Sequence, residues 1–210
     1  MRRILVLNRK GGVGKSTLVT NLAAAYAQGG KRTAVLDADA QHSSLRWCAR
    51  RPDAVPGVLG LDGTRRNVLA QVPPDTERAL ADTPAGSTMT QLEPWLDWAD
   101  VALLPVLPSV MDIEATLPLL DELAAQPRIK RGKLALALVG NRLKPWTSAS
   151  QQALETLRGL NAPLVAELRD SQAYVLLAGL GKSVFDYNSE QVRSHQQDWV
   201  PLLRWIKRNG

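Results

Sequence analysis

The run Asn8-Arg9-Lys10-Gly11-Gly12-Val13-Gly14-Lys15-Ser16-Thr17 constrains the fold of this chain more than any other stretch. It lies between an apolar segment, Ile4–Asn8, that reads as a strand and an alanine-rich segment, Ser16–Gln28, that reads as a helix stopping at Gly29-Gly30. Glycines at these positions let several backbone N–H groups converge on one phosphate, and a helix N-terminus adds partial positive charge. Lys15 is placed to reach the β- and γ-phosphates of a nucleotide, and the Ser16 hydroxyl to ligate Mg²⁺. The common pattern GxxxxGK[ST] fails, because Arg9 stands where its first glycine would be. The match is instead KGGxGK[ST], with an added lysine at Lys10, and the whole of Lys10, Gly11, Gly12, Val13, Gly14, Lys15, Ser16 and Thr17 is expected to hold the nucleotide.

The rest of the chain alternates in a way that suits such a loop. Strands are expected at Thr33–Asp37, Val58–Leu61, Arg78–Asp82, Val101–Val106, Leu134–Gly140 and Leu164–Leu168, and helices at Ile113–Ala125, Ala149–Leu157 and across the C-terminal segment, with Pro201 as a kink. This order predicts an α/β fold, a three-layer, doubly wound, mostly parallel sheet of the P-loop NTPase type. The 210 residues fit one domain, 1–210; the Pro-, Gly- and Arg-rich stretch Arg50–Arg66 has the least regular pattern.

Composition narrows the function. Ile4–Leu7 is too short for a signal peptide, and the apolar runs Val101–Leu107 and Leu134–Val139 are too short to span a bilayer, so a cytoplasmic protein is expected. Cys48 is the only cysteine, which allows neither an internal disulfide nor a CxxC site. Lysine and arginine number 26 against 20 aspartates and glutamates, a net charge of +6 that favours polyanions, nucleic acid first.

The Lys10 variant resembles the deviant Walker A box of the ParA/MinD family, in the SIMIBI class. The resemblance implies that Lys10 reaches the phosphates bound by a partner subunit, so that ATP binding and homodimerisation become one event. Asp37-Ala38-Asp39 with Gln41 resembles the family's DxDxQ motif, Ala40 replacing a proline. It implies that Asp39 positions the attacking water, with Lys10, Lys15 and Asp39 as the catalytic set, and that Asp37 supports the metal. Asp82-Thr83-Pro84-Ala85-Gly86 resembles a Walker B segment, with Asp82 beside Ser16 as a metal-side group. Pro105 through Asp112 resembles a P-x-x-P-S-x-x-D stretch at the dimer edge. A guanine-reading NKxD motif is lacking, since Asn141-Arg142-Leu143-Lys144 carries lysine where the acceptor belongs. Adenine is therefore expected, flanked by Asn141, Arg142, Arg169 and Asp170.

Within the family, Ser171–Tyr174, Gly181–Phe185 and Trp47 resemble the short ParF-like plasmid-partition ATPases, and the early P-loop leaves no room for an N-terminal operator-binding domain. That branch implies a weak ATPase, with ATP and Mg²⁺ as cofactors, that dimerises, binds DNA without reading sequence, associates with the nucleoid, and is released by a small centromere-binding ParB-type partner. Arg128, Lys130, Arg131, Lys133, Lys182, Arg193, Arg204, Lys207 and Arg208 are candidate DNA contacts. Positioning of a protein cargo, a conjugation complex or a membrane site would use the same motifs. A MinD-like membrane helix at Trp199–Arg208 is disfavoured, because its apolar positions also suit an ordinary packed helix. Iron–sulfur carriers require paired cysteines, and cofactor amide ligases a further catalytic apparatus that this chain does not display.

Overall fold

The computed structural model describes residues 1–210, apart from the side chain of Gln191. Short apolar segments rich in Val, Leu and Ala form strands β1 (Arg2–Val6), β2 (Thr33–Asp37), β3 (Leu59–Asp62), β4 (Arg78–Asp82), β5 (Val101–Val106), β6 (Ala135–Leu143) and β7 (Leu164–Arg169). They build one parallel sheet in the order β3-β2-β4-β1-β5-β6-β7. Parallel strands need covered faces, and β5 is buried along its whole length, as a doubly wound sheet requires.

Helices α1 (Lys15–Gln28), α2 (Ser43–Ala49), α3 (Met89–Trp98), α4 (Val110–Ala124), α5 (Pro127–Lys130) and α6 (Ser148–Arg158) lie between the strands, and α7 (Gln172–Gly179) and α8 (Glu190–Asn209) follow β7. Alternation along β1 divides the core. Leu5 and Leu7 face the layer of α3, α4 and α6, packing with Leu92, Leu120 and Leu157. Ile4 and Val6 face α1, α2 and α8, packing with Leu22, Trp47, Trp199 and Ile206. Both buried indoles keep their N–H satisfied: Trp47 donates to the Lys182 carbonyl at 3.1 Å, and Trp199 to the Tyr174 hydroxyl at 3.0 Å.

β2, β4 and β5 have the bounds read from sequence. β6 runs on past Gly140 to Leu143, carrying Asn141 and Arg142 to the sheet's edge. Four helices escaped the sequence reading, among them the four-residue α5 after Gln126. α2 is only seven residues long, α7 is too apolar to show a face, and α3 contains Pro94 in its first turns. α3 nonetheless starts at a capping box, with Thr88 accepting from the Gln91 N–H and Gln91 returning the bond, which was a legible signal. Pro201 does not end α8, which is helical on both sides of it.

Candidate active site

β1 has β4 on one side and β5 on the other, and the connections run opposite ways from it, so a crevice opens at its carboxyl end. The loop Gly11–Gly14 fills that crevice. Gly12 and Gly14 have φ of +76° and +92°, conformations that favour glycine. At Gly14 the space is also closed, since a Cβ would stand 2.3 Å from Asn141 Nδ2. No side chain caps α1, so its first N–H groups are free for an anion.

Around this loop lies a cavity of about 270 Å³ lined by Gly11, Gly12, Gly14, Lys15, Ser16, Thr17, Asp39, Gln41, Ser43, Ala85 and Arg142. Thr17 and Arg142 also line a second cavity of about 260 Å³, with Asn141, Asp170, Ser171, Gln172, Tyr174 and Val175. The two therefore adjoin, a polar compartment at the helix N-terminus beside one flanked by a tyrosine. The first has room for a phosphate chain and the second, the base compartment, for a nucleotide base.

Lys15 is buried, with Nζ 3.4 Å from the Lys10 carbonyl. Burial lowers its pKa, opposed by the charges of Asp82 and Asp39. An anion in the cavity would favour its charged form. Asp82, at the end of β4, is 1% exposed and neither of its carboxylate oxygens has a hydrogen-bond partner. Burial pushes this carboxyl up to about 7; Asp37 adds to the shift, while the Ser16 and Ser44 hydroxyls and Lys15 oppose it. An orphaned carboxylate beside a serine hydroxyl and under a phosphate cavity is a fitting donor set for hydrated Mg²⁺, held by Ser16 and Asp82. Bound there, the metal would neutralise charge on the β- and γ-phosphates.

Asp37 behaves differently from its expected metal role. Its two oxygens accept from the backbone N–H groups of Asp39 at 3.0 Å and Leu45 at 2.9 Å, so it shapes the β2–α2 loop from outside the cavity. That loop delivers Asp39, which lines the cavity while accepting from the Gln41 N–H at 2.9 Å. Asn141 likewise serves the loop, donating to the Val13 carbonyl at 2.7 Å as well as lining the base compartment. Arg142 reaches the edge of both cavities from a positive φ of 52°. Asp170 lines the base compartment, but Arg169 does not: it forms a bidentate pair with Asp198 of α8, each contact 2.7 Å. The expected base contact at Arg169 is thereby corrected, its guanidinium being held by a carboxylate at the sheet edge.

Lys10 points outward. Its ammonium is exposed and meets only Asp112 Oδ1, at 3.6 Å, where Ser109 caps α4 and receives the Asp112 N–H at 3.1 Å. The proline-serine-aspartate stretch thus ends beside the added lysine. Sequence reading missed Asn8 and Arg9 as organisers. Buried Asn8 accepts from the Lys10 N–H at 3.0 Å and donates to the Pro105 carbonyl at 3.0 Å. Arg9 clasps the loop after β4 through the Ser87 carbonyl at 2.9 Å and pairs twice with Glu122 of α4. The single thiol plays no part: burial pushes Cys48 up to about 12.

Known proteins agree with this geometry. Residues 4–184 match the family described as CobQ/CobB/MinD/ParA nucleotide binding domain. The "Maintenance of carboxysome distribution protein A" of Halothiobacillus neapolitanus is 32% identical over 189 residues, covering 87% of this chain and 86% of that protein. Among solved structures, the MinD cell division protein of Aquifex aeolicus superposes with a TM-score of 0.76 at 20% identity, covering 100% of this chain and 98% of that one. A plasmid partition protein from Borrelia burgdorferi bound to AMPPNP gives 0.71 at 16% identity, covering 97% and 99%. The chain is a member of the CobQ/CobB/MinD/ParA family, on its ParA/MinD side. It is an ATPase of the ParA/MinD type that uses ATP and Mg²⁺.

Proposed function

We propose that this ATPase distributes a cargo over the nucleoid, through a homodimer that forms on ATP binding and holds DNA without reading its sequence. The observation that carries the reading is Lys10: an exposed ammonium on a phosphate loop, turned away from its own cavity and tied only to Asp112 at 3.6 Å. Such a charge has little use within one subunit and suits the phosphates held by a second. Lys15 binds the phosphate chain and offsets its charge, Ser16 and Asp82 would hold the Mg²⁺ beside it, Asp39 positions water, and hydrolysis releases the partner subunit.

Two kinds of cargo fit. The similarity to a protein named for carboxysome distribution extends over most of both chains and favours a large protein assembly, with a small adaptor protein stimulating hydrolysis. The likeness to a plasmid partition protein supports a replicon carried by a ParB-type partner at a centromere-like site. A one-domain chain over 1–210 suits either.

Light scattering with a slowly hydrolysed ATP analogue and Mg²⁺ tests the cycle. Mass should double for wild type and not for Lys10→Ala, while Asp39→Ala should accumulate dimers with ATP itself. A wild-type protein that stays monomeric with the nucleotide bound overturns the reading. Affinity capture on the dimer-trapped Asp39→Ala protein then separates the cargoes: an adaptor that joins a protein assembly supports the first, one that binds a DNA site the second.

A further inference from the structure

Parallel strands gather their starting residues at one end of the sheet, here the end opposite the phosphate loop. The register places Arg2 beside Arg78, and α8 returns to this end, where the Ile206 carbonyl accepts from Arg2 at 2.5 Å. Between them lies a cavity of about 280 Å³ lined by Arg2, Arg78, Lys207, Tyr26 and three apolar neighbours. No carboxylate lines it, and among the described residues none of its three cations forms an ion pair. Arg78 lies over the Tyr26 ring at 5.3 Å, and its buried Nε has no acceptor. A buried guanidinium donor without a partner is a costly arrangement that an oxyanion would relieve.

The surroundings have the same sign. Lys130, Arg131 and Lys133, around the end of α5 and the start of β6, are exposed and unpaired among the described residues, as is Arg208. The acids at this end are mostly engaged: Asp100 pairs with Arg3, Glu77 with Lys31 and Asp75 with Arg32. Of the candidate DNA contacts read from sequence, Arg128 is withdrawn, since carbonyls of Leu96, Asp97 and Lys133 occupy its guanidinium.

We propose that this end of the sheet is a docking surface for the phosphate backbone of duplex DNA, with the Arg2–Arg78–Lys207 cavity seating one phosphate and Lys130, Arg131 and Lys133 following the strand beside it. Gly210 lies against Arg2, so the seat is centred on Arg78 and Lys207. The proposal rests on the DNA-binding reading above and adds a location to it. Because the surface is remote from the nucleotide cavity, a dimer closed over its nucleotides keeps two such surfaces free.

The test is fluorescence anisotropy on a duplex of arbitrary sequence, titrated with salt, with and without the ATP analogue. Variants are Lys207→Glu with Arg208→Glu, and Lys130→Ala with Arg131→Ala and Lys133→Ala, all at exposed positions. Arg193, a candidate contact read from sequence, is exposed on the nucleotide-side half of α8, away from this end of the sheet, so this location excludes it and Arg193→Ala is the control. The expected result is a loss of about tenfold or more in affinity for each multiple variant, with the salt slope falling by about 0.9 for every phosphate contact removed. The control and the ATP-dependent doubling of mass should be unchanged. Equal DNA binding by wild type and the multiple variants, or a comparable loss in Arg193→Ala, overturns the location and leaves the DNA reading standing. No DNA binding by wild-type dimers overturns both. Preference for vesicles of anionic phospholipid over DNA, lost in the same variants, overturns DNA as the occupant.

Discussion

The two ends of the sheet solve opposite electrostatic problems. At the carboxyl ends of β1, β2 and β4, acids are buried without cations enough to answer them, and Asp82 has two unpartnered oxygens. At the amino ends, most acids are taken up in ion pairs while, among the described residues, Arg2, Arg78 and Lys207 have none, and Arg78 has an unpartnered donor. The first end is built for a metal and the second for an anion. At each end a buried polar atom without a partner, on Asp82 or on Arg78, lies where a group from outside can complete it.

The largest expected effect belongs to neither end and serves as a baseline. Arg51 and Asp186 form a buried pair, 3% and 0% exposed, at 3.0 Å. Burial by itself would raise the Asp186 carboxyl, but hydrogen bonds from Arg51 and Gln28 and the Arg51 charge outweigh it and hold it below its ordinary value. A depressed folded-state pKa gives stability that is present above the ordinary aspartate range near pH 4 and lost as pH falls through the folded value. Asp186→Asn should cost about 3–5 kcal/mol, because it leaves a buried guanidinium unpaired. It should also flatten the acid limb of stability in urea melts followed from neutral pH downward. An unchanged acid limb would show that this pair, unlike the two ends, is not under electrostatic tension.

Next comes Lys15→Ala, which should reduce single-turnover hydrolysis by about 10²–10³-fold while leaving the melting temperature of the nucleotide-free protein nearly unchanged. Retained turnover would remove Lys15 from the phosphate site. Gly14→Ala should follow, with a cost of about 1–3 kcal/mol for a residue held at positive φ and a clash with Asn141 Nδ2 added to it. Fluorescent nucleotide binding should weaken strongly, and Asn141→Ala in the same background should recover part of it by removing the clash. Absence of any rescue would mean that strain alone governs the loop. The smallest effect is expected for Asp112→Asn. Its pair with Lys10 is half exposed and 3.6 Å long, worth at most about 1 kcal/mol. Freeing Lys10 should therefore strengthen analogue-dependent dimerisation by a few-fold in light scattering, and weakening would assign Asp112 a direct role between subunits.

The phosphate loop of the nucleotide end is legible in the sequence. Strand, glycines, Lys15 and Ser16 are contiguous, and their spacing carries the geometry. Legibility failed where a side chain had a choice of partner. Asp37 and Asp39 are both aspartates after one strand, yet Asp37 turns to the N–H groups of Asp39 and Leu45 while Asp39 faces the cavity. Arg169 and Asp170 are neighbours, and only the second reaches the base compartment, because Asp198 on α8 takes the first. No local pattern distinguishes members of such pairs.

β4 shows the same division. Arg78-Ala79-Leu80-Ala81 is weakly apolar for a strand, yet Ala79, Leu80 and Ala81 are completely buried between β1 and β2. Small side chains there let helices approach from both faces, a property of neighbours more than of the segment. The basic end is the extreme case, drawn from residues 2, 26, 78 and 207, with residues 130–133 alongside. Sequence by itself determined the phosphate loop, the parallel alternation and the added Lys10, since backbone conformation and contiguous spacing are local properties. Tertiary structure alone decided which charges meet, because desolvation and pairing depend on neighbours that a parallel sheet brings together from the whole length of the chain.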